Sequence, residues 1–207
     1  NPVTGTVTIN SGNTPTISVI EPVLTLGKTI VSPSLGTTID AGDIVSYRIV
    51  VGNNGTNTGS TAHDTLITDT LPAALAINAP ITITASGGVT FVNASTTGVG
   101  GRITVTVPTL TIGQIITIEY TASALQAVTP AEVLTNDSQT SWSTQPGTNP
   151  DERKDGNGLL NGGGLNDYRL RSSQTITSTS PTIEKNMLST SAACAAGTCP
   201  KAPRARR

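Results

Sequence analysis

Between residues 16 and 146, apolar and polar residues alternate in short runs interrupted by Gly, Pro, Asn and Asp. That is the period of strands with one buried face. The pattern predicts strands near residues 23–31, 44–51, 65–71, 81–85, 89–92, 103–107, 115–121 and 133–142. Turn-forming residues occupy the connections at 40–43, 52–55, 86–88 and 98–101. Parity assigns the buried faces: Tyr47, Ile49 and Val51 share one side of a strand, as do Ile103, Val105 and Val107, and Ile116, Ile118 and Tyr120. Residues 71–76 alone suggest a helical turn, with Pro72 suited to its first position. Short strands at this spacing predict an all-β, immunoglobulin-like antiparallel β-sandwich.

The alternation fails over residues 145–171, a long polar loop, and strand character returns near residues 174–179. Loops of that length inside a compact domain are commonly functional, ligand-ordered or mobile. The two ends of the chain resemble each other. A Thr-rich strand, a Pro and a short apolar strand lead to Lys28 near the start and, 157 positions later, to Lys185. Either this is coincidence in a Thr-rich chain, or the chain is one unit of a tandem array. On the second reading residues 1–20 form a terminal strand segment, from a preceding repeat or for donation to a neighbour. Residues 21–180 are then the sandwich repeat, and residues 181–207 open the next repeat or form a tail.

Composition narrows the function. Thr contributes 37 residues and Gly 21, whereas charged residues make up 12% and aromatics 2%, which favours pleated strands over surface helices. A net charge of −1 leaves no electrostatic footprint for nucleic acid. Apolar runs of a few residues predict no membrane span. The chain opens at Asn1-Pro2, so any export leader is expected to be removed or to lie outside this piece. One His and two clustered Cys argue against a zinc site or a His-based triad, and no enzyme activity is expected.

One constellation carries chemistry. Lys28, the only lysine before Lys154, is in step with Leu24, Leu26 and Ile30 and so points inward. Asp69 is in step with Ile67 and Leu71, and Asn136 with Leu134, Ser138 and Trp142. Burial pushes a lone ammonium toward the neutral amine and a carboxyl toward the acid. Three polar side chains converging from separate strands therefore suit an intramolecular isopeptide bond. The Lys28 amine would attack the Asn136 carboxamide, while protonated Asp69 donates to the amide oxygen and passes a proton to departing ammonia. A plain buried Lys28–Asp69 salt bridge bonded to Asn136 and an outward Lys28 are the competing outcomes. Glu119 is out of step with its buried neighbours and should face solvent.

Two weaker signals lie toward the C-terminus. Asp151, Asp155, Asn157 and Asp167 supply oxygen ligands of the kind calcium prefers, without EF-hand spacing. A polar loop pinned by pairing of Glu152 with arginine is the alternative. Cys194 and Cys199 span a short Gly-containing turn and predict a local disulfide in an exported chain.

The segments Gly42-Asp-Ile-Val-Ser-Tyr47, Asn53-Asn-Gly55 and Thr68-Asp-Thr-Leu-Pro72, with Lys28 before them and Asn136 after, resemble a bacterial surface repeat family. It is the domain of unknown function eleven, akin to the isopeptide-forming domains of fimbrial proteins. Ser143 to Gly147, Glu152-Arg153 and Asn166-Asp-Tyr168 are similar to that family's C-terminal extension, so the resemblance covers roughly residues 20–185. It implies a secreted building block of surface stalks, adhesins or fibres on the bacterial cell surface. The expected partners are further copies or tandem repeats, joined by strand addition at the termini. The alternative is an adhesin module that binds a carbohydrate or host protein.

Overall fold

The computed structural model describes residues 19–32, 38–55, 59–155, 167–181 and 183–186. Eleven strands are formed among them. They are β1 (Leu24–Ser32), β2 (Thr38–Ile39), β3 (Ile44–Asn53), β4 (Ala62–Thr70), β5 (Leu75–Ala85), β6 (Val92–Asn93), β7 (Gly98–Val99), β8 (Arg102–Leu110), β9 (Ile115–Ala124), β10 (Val133–Ser143) and β11 (Arg169–Ser178). One sheet has the order β1-β3-β9-β5-β7 and the other β2-β11-β10-β4-β8-β6. All pairings are antiparallel except the short one between β2 and β11. The chain is thus an all-β, immunoglobulin-like sandwich. Among the described residues no helix is long and apolar enough to cross a membrane.

Alternation builds the core. Tyr47, Ile49, Val51, Ile116, Ile118 and Tyr120 project from one sheet, and Ile67, Ile103, Val105, Val107, Leu134 and Trp142 from the other, all buried. Each such aliphatic side chain contributes about 1.5–3 kcal/mol by leaving water. The connection from β3 is fixed by buried Asn53. Its Nδ2 donates to the carbonyls of Ser60 and Leu110, and its Oδ1 accepts from the Gly55 amide. A Cβ at Gly55 would stand 2.9 Å from the Cα of Gly59, so that corner requires a glycine.

The structure corrects several expected boundaries. Residues 71–76 hold a hydrogen-bonded turn from the Pro72 carbonyl to the Leu75 amide, and β5 starts there rather than at residue 81. Leu75 is wholly buried against the core, and that burial favours strand over helical turn. The strand predicted at 89–92 reduces to the two-residue β6, after a turn closed between Ser86 and Val89. β11 begins at Arg169, inside the stretch read as loop, because it pairs with β10 from Arg169 to Thr177.

β1 and β11 lie at the open side of the sandwich, one from each sheet. Their edges are stitched together by side chains. The Lys28 amide donates to Ser172 Oγ at 3.0 Å, and Gln174 Nε2 donates to the Lys28 carbonyl at 2.8 Å. Side-chain bonds of this kind protect an edge that would otherwise offer unpaired backbone to another chain.

Candidate functional site: a buried lysine, acid and carboxamide

The parity argument places three polar side chains in the interior, and all three are there. Lys28 on β1 is 3% exposed, while Asp69 on β4 and Asn136 on β10 are wholly buried. Lys28 Nζ lies 2.5 Å from Asp69 Oδ2 and 3.1 Å from Ser138 Oγ. An outward Lys28 is therefore excluded. Glu119 faces outward and pairs with Arg48 at 2.7 Å.

Two tyrosines complete the cluster. Tyr120 on β9 donates its hydroxyl to Asp69 Oδ2 at 2.6 Å and accepts from Asn136 Nδ2 at 2.8 Å. Lys28 Nζ stands 3.4 Å from the same hydroxyl. The acid and the carboxamide are thus connected through Tyr120, with no hydrogen bond of their own. The Tyr47 and Tyr120 rings stack at 5.3 Å between centroids, and Lys28 Nζ lies 5.0 Å from the Tyr47 centroid. The Tyr47 hydroxyl is buried beside Asn136 without a hydrogen bond of normal geometry. Sequence reading placed Tyr120 inside but gave its hydroxyl no role. The signal was available, since a tyrosine in step with Ile116 and Ile118 must find a partner for its O–H within the core.

Burial governs the electrostatics. Desolvation lowers the Lys28 amine from 10.5 to about 8, partly opposed by the charge of Asp69 and its hydrogen bond. The Asp69 carboxyl is raised, again first by burial, against the pull of Lys28 and the bonds it accepts. Burial pushes the Tyr47 phenol up to about 12 and the Tyr120 phenol higher still. Both partners of the ion pair are moved toward a neutral amine beside a protonated acid. Asp69 Oδ1 and Asn136 Oδ1 are buried without a donor.

The other predicted residues lie only partly within the described part of the chain. Asp151 is exposed, Asp155 pairs with Arg169 at 3.3 Å, Asp167 is buried, and Asn157 lies outside the described residues. Among the described residues no three His, Cys, Asp or Glu gather to hold a metal. The loop is pinned differently from the expectation. Glu152 pairs with Lys154, while Arg153 Nη1 reaches Glu21 Oε1 at 2.5 Å. Glu21 is buried, and its second oxygen accepts from the Tyr168 hydroxyl. Cys194 and Cys199 lie outside the described residues.

No family profile and no curated protein matches the chain. Solved structures do resemble it in fold. The major pilin subunit BcpA of Bacillus cereus aligns with a TM-score of 0.48 and 14% identity, over 76% of this chain and 40% of the pilin. The pilus backbone RrgB of Streptococcus pneumoniae aligns with 0.45 and 14%, over 60% and 32%. A collagen-binding domain from a Staphylococcus aureus adhesin aligns with 0.40 and 15%, over 78% and 99%. The chain spans about 40% of the length of the Bacillus pilin it matches. These likenesses concern the sandwich fold.

Proposed function

We propose that this chain is a structural subunit or repeat of an extracellular bacterial fibre, pilus-like filament or adhesin stalk, locked by a bond between Lys28 and Asn136. The observation that carries the reading is the buried, hydrogen-bonded cluster of Lys28, Asp69, Tyr120 and Asn136. A module with no load to bear gains little from a buried amine and acid, because replacing such a pair with apolar residues is often neutral or stabilising. The same pair, shifted toward its neutral form in a dry site, is suited to acyl transfer. Lys28 Nζ forms a bond to Asn136 Cγ, the Cγ–Nδ2 bond breaks, and ammonia leaves.

The product joins β1 of one sheet to β10 of the other through the core. Residues 1–20 and 181–207 remain, on this reading, the segments that contact neighbouring units. The competing reading, a carbohydrate- or host-protein-binding module, finds little support in the aromatic residues. Tyr47, Tyr120, Tyr168 and Trp142 are buried, and Phe91 is partly so.

Intact mass spectrometry tests the proposal. The purified chain should weigh about 17 Da less than its sequence requires, after any disulfide is allowed for, through loss of ammonia. Lys28→Ala should restore the full mass. A full-mass wild-type chain would leave a buried salt bridge and remove the covalent lock.

A further inference from the structure

This inference rests on the ligation proposed above and concerns how its proton travels. We infer that the Tyr120 hydroxyl is a catalytic residue of that single turnover, relaying a proton from Asp69 to the departing nitrogen of Asn136. Ammonia is the leaving group only if Nδ2 gains a proton, since an amide anion is too basic to depart. The group bonded to Nδ2 is Tyr120 Oη, at 2.8 Å, and the group to which Oη donates is Asp69 Oδ2, at 2.6 Å. Direct passage from Asp69 to Nδ2 would bypass the phenol that stands between them.

The step balances as follows. Attack by the neutral amine leaves Nζ positively charged and Asn136 Oδ1 negatively charged. As Nδ2 becomes tetrahedral it acquires a lone pair, so its bond to Tyr120 reverses and it accepts the phenolic proton. Tyr120 is reprotonated by the Asp69 carboxyl from Oδ2, the oxygen 2.6 Å from its own. The Oδ1 electrons re-form the carbonyl, the Cγ–Nδ2 bond breaks, and ammonia departs. Nζ then returns a proton to Asp69 and is left as the amide nitrogen. Tyr120 ends as it began.

Burial and the neighbouring Asp69 raise the Tyr120 phenol far above its ordinary value, so a free phenolate does not accumulate. The two protons therefore move together. A hydroxyl acting this way is worth roughly 10²–10⁴ in rate.

Timed cell-free translation of the whole chain, stopped at intervals and read by intact mass, separates the outcomes. The wild type should lose about 17 Da, and Tyr120→Phe, which keeps the ring, should do so at least ~100-fold more slowly. A second version carries 3-fluorotyrosine at position 120. Its hydroxyl is retained but more acidic, and it should react several-fold faster than the wild type. Ligation of Tyr120→Phe at the wild-type rate would overturn the relay while leaving the bond intact. Slow Tyr120→Phe with an unchanged fluorotyrosine rate would also overturn it, because the phenol would then serve only packing. A wild-type chain that never loses the mass overturns both the relay and the ligation.

Discussion

Lys28 pays for its place in the core whenever it is charged, and the cost has a pH signature that can be read once the bond is prevented. Asn136→Ala removes the electrophile and leaves the amine and Asp69 in place. The folded amine then releases its proton near pH 8, whereas in the unfolded chain it holds on until about 10.5. Between these values the unfolded state binds more protons, so stability rises with pH. From pH 8 to 10 the gain should be about 2 kcal/mol in urea unfolding. The window closes near pH 10, where unfolded tyrosines ionise while buried Tyr47 holds its proton to about 12. Asp69, being raised, acts in the opposite sense: the stability it lends when protonated is lost as pH climbs through its folded value. Adding Lys28→Met to Asn136→Ala should abolish the alkaline rise. A rise that survived this change would have to come from another group.

The segment that leads into β1 is anchored by the side chain of Glu21. Glu21 forms an isolated bridge to Gly59, and its buried carboxylate accepts from Arg153 and Tyr168, with the Tyr168 ring edge-on to Trp142 at 5.8 Å. Hydrogen bonds to a buried charge are worth about 1.5–3 kcal/mol, and losing one partner strands the other. A double-mutant cycle of Glu21→Ala with Tyr168→Phe should give a coupling energy in that range. Arg153 adds less, since its side chain is 41% exposed. A coupling near zero would mean that the segment is held by its backbone alone. Sequence reading could not see this clamp, because the partners lie 132 and 147 positions away and a lone Glu before a strand carries no pattern. Central strands such as β3, β8 and β9 were legible because one face is dry and the other wet. Along β11, at the margin of its sheet, most residues are only partly buried or exposed, so alternation fades and Arg169 to Arg171 read as loop. The site divides the same way: parity found Lys28, Asp69 and Asn136, whereas the bonding of the Tyr120 hydroxyl is not encoded in periodicity.

At the scale of the whole molecule, the order of strands decides what a covalent lock protects. Asn136 lies on β10, and β11 follows it, so a bond to Lys28 does not tie the first strand to the last. Tension entering at the N-terminal side passes from Lys28 to Asn136 and bypasses everything between them. β11 stays outside the bypass. Its C-terminal end pairs near Asn136, with Gln174 opposite Asn136 and Thr177 opposite Val133, so a pull from that side opens the β10–β11 pair like a zipper, one rung at a time. The parallel contact of β2 with Thr177 and Ser178 must yield first. At roughly 3.5 Å per extended residue, freeing residues 137–178 releases about 15 nm of chain. In Lys28→Ala the whole sandwich from β1 to β11 can unravel, which at the same reach per residue is about 50 nm. Single-molecule stretching of the two chains should therefore show a short, low-force extension that then stops in the wild type, and a long one in the variant. The partial release is the distinguishing outcome, because a simple salt bridge would let both chains unravel to the same length.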